Sequence, residues 1–114
     1  MDTMTRVAVA TTNRAFIDDR FGEADEFAVY EMGSSGPNFI ETRIVEQYGR
    51  GGFAIEDKRE VSLRALAGCQ ALFATGVEEM PRQKLSALGI ESVDAYASQP
   101  IDASLDQWWR SQMV

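Results

Sequence analysis

Two short runs constrain the fold of this chain more than any other feature: RVAVAT at residues 6 to 11 and QALFAT at residues 70 to 75. Both are apolar at consecutive rather than alternate positions. A strand that carries apolar groups on both faces must be covered on both. With 114 residues, enough for one core and too few for two, the cover has to be helices packed on either side of one sheet.

The remaining elements fit that frame. Residues 1 to 5 read as a loose leader. EFAVYEM (26 to 32) alternates, which puts Phe27, Val29 and Glu31 on one side and Ala28, Tyr30 and Met32 on the other. The turn cluster GSSGPN (33 to 38) joins it to FIETRIVEQ (39 to 47), so a hairpin is predicted. GRGG (49 to 52) breaks the strand pattern and leads into a helix from Glu56 to Ala67, with Leu63, Leu66 and Ala67 on one face and Gly68 as its stop. Pro81 suits the first turn of a second helix, which runs through Leu85 and Leu88 and ends at Gly89. IESVDAY (90 to 96) is the last strand, and Ser98 is placed to cap a final helix carrying Ile101, Leu105, Trp108 and Trp109 at i, i+4, i+7 and i+8.

The order β-β-β-α-β-α-β-α predicts an α/β fold: a single domain over residues 1–114, core about 6–109, with a mixed five-stranded sheet and helices on its faces. Helical crossovers after residue 39 predict parallel neighbours, and the early hairpin adds an antiparallel member.

Charge and residue inventory narrow the function. Eleven basic residues stand against 18 acidic ones for a net charge of −7, and no basic run compensates, so nucleic acid is not an expected partner. No apolar run approaches the ~18 residues of a membrane span, so no membrane partner is expected. The N-terminal MDTMTR lacks a basic region followed by an apolar stretch, and the lone Cys69 suits a reducing compartment; a cytoplasmic location is expected. The chain has no histidine, which removes the usual neutral-pH base and the commonest transition-metal ligand. Ser–His–Asp and Cys–His catalysis are excluded, and the ordinary zinc and iron–sulfur ligand sets cannot be assembled from one such chain.

Open α/β sheets bind ligands beyond the carboxyl ends of their parallel strands. Here those ends supply Thr11, Thr12 and Asn13, then Thr75 and Gly76, then Asp94 to Ala97. The charged turn FIDDRFGEAD starts from this rim, so Arg20, Phe21 and Gly22 are positioned to fold over it. A plainer reading stands beside this one: Gly22 supplies a turn dihedral, Phe21 caps the core, and Arg20 pairs with Asp18 or Asp19. Cys69 begins its strand at the end away from the rim and reads first as a small core hydrophobe. Asp18, Asp19, Asp25 and Glu26 read as solvated turn charge rather than a two-metal site, and the GRGG segment with Arg50 as a mobile connection. Trp108 and Trp109 belong to the core by default, though one could face a partner.

RVAVAT followed by DDRFGEADEFAVYE, with LAGCQALFATGVEEMPRQKLSALGIESVDA in the second half, resembles the dinitrogenase iron–molybdenum cofactor-binding family of nitrogenase accessory proteins. The resemblance spans roughly residues 6 to 109, and the order of its short motifs carries most of it. It implies a ribonuclease H-like α/β fold without nuclease chemistry and a role in binding iron–sulfur cofactors or their precursors. The family's histidine before Phe-Gly is Arg20 here. A guanidinium has no lone pair for iron or molybdenum, but it can hydrogen-bond an anionic cluster as a forked donor.

The expected function is therefore that of a non-enzymatic nitrogenase accessory protein. It would reversibly bind an iron–molybdenum cofactor or iron–sulfur precursor during cluster assembly, with nitrogenase assembly proteins or apo-dinitrogenase as partners. Thr12, Asn13, Arg20, Phe21, Gly22 and Gly76 are the expected cofactor-binding residues, and no catalytic residue is expected. Any direct bond to metal would fall to Cys69, a methionine or a partner. The alternative is a metal-free regulator or chaperone of a nitrogenase component, working through the acidic surface and the Trp108–Trp109 helix. A carboxylate hydrolase is a third possibility, for which the sequence offers no convergent set.

Overall fold

The structure, a computed structural model, describes residues 5–45 and 58–112. The elements in chain order are β1 (Thr5–Ala10), β2 (Glu26–Gly33), β3 (Gly36–Ile44), α1 (Lys58–Ala65), β4 (Ala71–Phe73), α2 (Glu79–Ala87), β5 (Glu91–Val93) and α3 (Ile101–Gln112). They form one five-stranded sheet in the order β3-β2-β1-β4-β5. β2 pairs antiparallel with β1 and β3, while β1, β4 and β5 run parallel. That mixed sheet with helices on its faces is the predicted architecture, and its strand order is consistent with a ribonuclease H-like arrangement.

The strand with consecutive apolar residues takes the centre. Val7, Ala8, Val9 and Ala10 are all fully buried, and they divide between two cores. Ala8 and Ala10 join Phe27, Val29, Leu66, Leu72 and Leu85 on the face covered by α1 and α2. Val7 and Val9 join Ala28, Met32, Phe73, Leu105 and Trp108 on the face covered by α3. The predicted two-sided alternation of β2 is thus the division of the molecule into layers.

The parallel pairing predicted after residue 39 holds for β4 and β5 but not for β3 and β4. β4 lies beside β1, and β3 is left at the sheet edge. The residues of β3 explain this: Pro37 lacks an N–H, and Asn38 and Glu41 are exposed, which suits an edge strand and not an interior one.

Several boundaries move for local reasons. β3 starts at Gly36 rather than 39, because the hairpin turn shrinks to Ser34–Ser35 with Gly36 at φ +98°. Thr5, expected in the leader, pairs with Met32. α1 ends at Ala65, so Ala67 is exposed and Val61 joins Leu63 and Leu66 in the buried stripe; Gly68 at φ +85° makes the predicted stop. The GRGG segment and the predicted helix start at Glu56 lie outside the described residues. Ser98 does not cap α3: its backbone is left-handed at φ 65°, and its N–H donates to the Ile17 carbonyl at 2.7 Å. The helix enters through Pro100, whose carbonyl accepts the Ser104 N–H at 3.1 Å and the Ser104 hydroxyl at 2.6 Å.

Candidate functional site

β1 and β4 run parallel, so both release the chain at the same edge, after Ala10 and after Phe73. The segment after β1 begins with a locally hydrogen-bonded loop. The buried Thr11 hydroxyl donates to the Phe16 carbonyl at 2.7 Å and accepts the Arg14 N–H at 3.0 Å. Asn13 Oδ1 accepts the N–H groups of Ala15 at 2.9 Å and Phe16 at 3.2 Å. Thr12 donates its N–H and its hydroxyl to the two oxygens of Asp18, at 2.8 and 2.6 Å. Burial acts to raise the Asp18 pKa, but the hydrogen bonds from Thr12 outweigh it and leave the carboxyl below the ordinary aspartate value. Thr12 and Asn13 therefore spend these groups on folding the loop that shapes the rim.

Residues 17 to 22 cross over the end of the sheet. Ile17 is fully buried on the α3 side, tied by its N–H to the Gln99 carbonyl at 2.9 Å. Asp19 donates its N–H to the Ala10 carbonyl at 3.2 Å, and its own carbonyl accepts both the N–H of Thr75 at 2.9 Å and the Thr75 hydroxyl at 3.1 Å. Phe21 donates to the Gly76 carbonyl at 3.2 Å and buries its ring in the opposite core, stacked against Phe27 with centroids 6.4 Å apart. Gly22, at φ 94°, turns the chain where a side chain would be strained. The Arg20 carbonyl closes the turn by accepting the N–H groups of Glu23 at 3.2 Å and Ala24 at 3.1 Å. Arg20 is the exposed crest of a lip anchored in both cores.

The two aspartates before that crest are bonded elsewhere. Asp18 is bonded to Thr12, and Asp19 Oδ1 accepts the backbone N–H of Arg20 at 2.9 Å. The predicted Arg20–Asp pairing is absent, while the predicted turn role of Gly22 and core role of Phe21 are both present. The guanidinium lies against Gly76, where a β-carbon would come within 3.0 Å of one terminal nitrogen. Among the described residues, no hydrogen bond or ion pair engages it. The neighbouring rim cation Arg82 is differently placed, bonded at 2.9 Å to Asp94 after β5.

Candidate metal donors lie elsewhere. Cys69 enters β4 at its amino end, away from the rim, and is buried. Burial pushes its thiol pKa up, against a smaller downward pull from Arg43 and Arg6. Among the described residues, no three of His, Cys, Asp and Glu converge. Met32 is buried in the core, whereas Met80 is 68% exposed in the first turn of α2, close in sequence to Thr75 and Gly76. Sequence reasoning missed Met80 and the clamping role of Thr75. The signal for Thr75 was its position at the end of a strand; Met80 gave none beyond the adjoining helix start at Pro81.

A family model described as dinitrogenase iron–molybdenum cofactor matches residues 4–111. The FeMo cofactor biosynthesis protein NifB of Bradyrhizobium diazoefficiens is 38% identical over 105 residues, covering 92% of this chain and 21% of that protein. NifB of Azotobacter vinelandii is 34% identical over 110 residues, covering 94% and 22%. This chain thus spans about a fifth of the length of those relatives. Among solved structures, the apo orange protein of Desulfovibrio gigas superimposes with a TM-score of 0.68 at 19% identity, covering 98% of this chain and 92% of that one. A putative dinitrogenase from Methanocaldococcus jannaschii gives 0.62 at 16% identity, covering 98% and 93%.

Proposed function

We propose that this chain, which belongs to the dinitrogenase iron–molybdenum cofactor family, holds an anionic iron–sulfur or iron–molybdenum cluster at its carboxyl rim as cargo and passes it on during cofactor assembly. The observation that carries this reading is the Arg20 guanidinium: it stands on a doubly anchored lip, and no described acid is hydrogen-bonded or ion-paired to it. Kinship to proteins named for FeMo cofactor biosynthesis supplies the class of cargo.

The chemistry is that of binding and release. Arginine stays protonated and presents a planar fork of donors, so it pairs with sulfide, thiolate or carboxylate groups at a cluster's periphery without entering the metal's coordination sphere. A charge-assisted hydrogen bond of this kind contributes about 1.5–3 kcal/mol. No strong metal–ligand bond has to break on transfer. The receiving partner, a nitrogenase assembly protein or apo-dinitrogenase, takes the cluster by offering the thiolate or imidazole that this chain does not offer at the rim. No bond-making step is assigned to the protein itself.

Anaerobic titration with isolated iron–molybdenum cofactor, and separately with a synthetic [4Fe–4S] tetrathiolate dianion, tests the reading. Saturable binding that weakens with salt is expected, with about tenfold lower affinity in Arg20→Ala. Equal affinity in that variant removes Arg20 from the site. No uptake by the parent protein, together with capture of a nitrogenase component by the metal-free chain, selects the regulator reading instead.

A further inference from the structure

We infer that Gly76 is a positioning residue for Arg20: the space left by its missing side chain is the seat in which the guanidinium rests, so that the cation is aimed before any anion arrives. The inference rests on the carrier reading for its cargo, but not for its geometry. Gly22, Gly36, Gly68 and Gly89 all have positive φ, between 80° and 98°, and are glycines because of their backbone. Gly76 is not among them, so its backbone alone does not call for glycine. What calls for it is a neighbour. A β-carbon there would stand 3.0 Å from one terminal nitrogen of Arg20, 3.4 Å from its central carbon and 3.6 Å from the other terminal nitrogen.

Those three distances belong to one planar group, so its terminal end occupies the space beside the glycine that a side chain at residue 76 would need. The three nearest atoms all come from Arg20, the far end of a flexible side chain. A methyl group at residue 76 would therefore displace the guanidinium and leave the rim's backbone in place. The backbone at this point is also tied to the lip, since the Gly76 carbonyl accepts the Phe21 N–H at 3.2 Å. Seat and cation are thus held in register by the residue that follows Arg20. A long side chain ordered in this way loses less freedom when an anion binds, which is how pre-organisation raises affinity.

The test uses the full chain and the synthetic [4Fe–4S] tetrathiolate dianion, with Gly76→Ala, Arg20→Ala, their double variant and Arg20→Lys. Gly76→Ala should weaken binding about three- to tenfold with an unchanged thermal midpoint, and should have no further effect once Arg20 is already alanine. Arg20→Lys keeps the charge but has no planar fork to fill that seat, and should lose a similar factor without any change at the rim. Equal losses from Gly76→Ala in both backgrounds, or full affinity in Arg20→Lys, would overturn the assignment. A second readout needs no cargo: the Arg20 Nε–Hε cross-peak of the free protein should shift in Gly76→Ala, and an unmoved peak refutes the seat. If the parent protein takes up no cluster, the carrier reading falls, and the cross-peak alone decides the role of Gly76.

Discussion

Arg20 and Arg43 are both arginines one or two residues from an acid, and the fold uses them in opposite ways. Arg43, on the edge strand β3, is consumed. Its NH1 donates to the Ala65 carbonyl at 3.0 Å and to that of Ala67, lies 4.0 Å from Cys69 Sγ, and its NH2 pairs with Glu41 at 3.2 Å. It thereby satisfies carbonyls left over at the end of α1, where the helix also favours a cation. Among the described residues, the Arg20 guanidinium donates to no carbonyl. The helix that follows Gly76 along the rim is α2, which begins there, and a helix's unpaired carbonyls lie at its far end. A cation is therefore structural where the backbone leaves acceptors unpaired around it, and available where the surrounding acceptors have been taken by other donors. Thr12 and the Arg20 backbone N–H are those other donors on the lip.

The greatest change in stability follows from the consumed arginine. Arg43→Ala should lower the free energy of unfolding by about 2–3 kcal/mol in urea titration, since it strips a charged donor from several acceptors. Arg43→Lys should recover part of this, because a single ammonium cannot serve the same fan of groups. Arg20→Ala should leave stability within about 0.5 kcal/mol of the parent while reducing cluster affinity. Similar losses of stability from the two alanine variants would abolish the contrast, whatever the binding data show.

Much of the fold could be read from the chain because it rests on periodicity. The consecutive apolar residues of β1 forced a central position, and the alternation Phe27, Val29 against Ala28, Tyr30, Met32 named the two cores correctly. The position of β3 could not be read, because a helical crossover says that two strands run parallel and not that they touch. Pro37 and Glu41 were the available clues to an edge. At the site, strand ends and turn residues located the lip, since Gly22 and Phe21 have local reasons to be where they are. The state of Arg20 was not legible. Whether Asp18 binds Arg20 or Thr12 depends on how the loop closes, and both partners lie within hydrogen-bonding reach along the sequence.

A more modest change concerns the thiol beside Arg43. Burial and a raised pKa should make Cys69 alkylate with iodoacetamide at pH 8 at least about tenfold more slowly in the native protein than in urea. The Arg43 cation works in the other direction, so the result weighs desolvation against charge at one atom. Native labelling as fast as in urea would show that Arg43 and the surrounding core do not shield the sulfur, and would weaken the claim that this arginine is fully spent.

The slightest change bears on the lip itself. The Asp18 carboxyl titrates below its ordinary value in the folded protein, so its hydrogen bonds to Thr12 contribute stability that is full above the unfolded-state value of ~3.9 and is lost as pH falls through the lower, folded value. Asp18 is exposed, so water screens the gain, and the change in global stability should be slight. The informative measurement is local. The Thr12 amide resonance should titrate with a midpoint under the ordinary aspartate value and lose that step in Asp18→Asn. The Arg20 Nε–Hε resonance should be indifferent to the same step, because the carboxyl that titrates is bonded to threonine and not to arginine. A common midpoint for both would mean that Asp18 holds Arg20 in solution, and the two arginines would then differ only in which acceptor has claimed them.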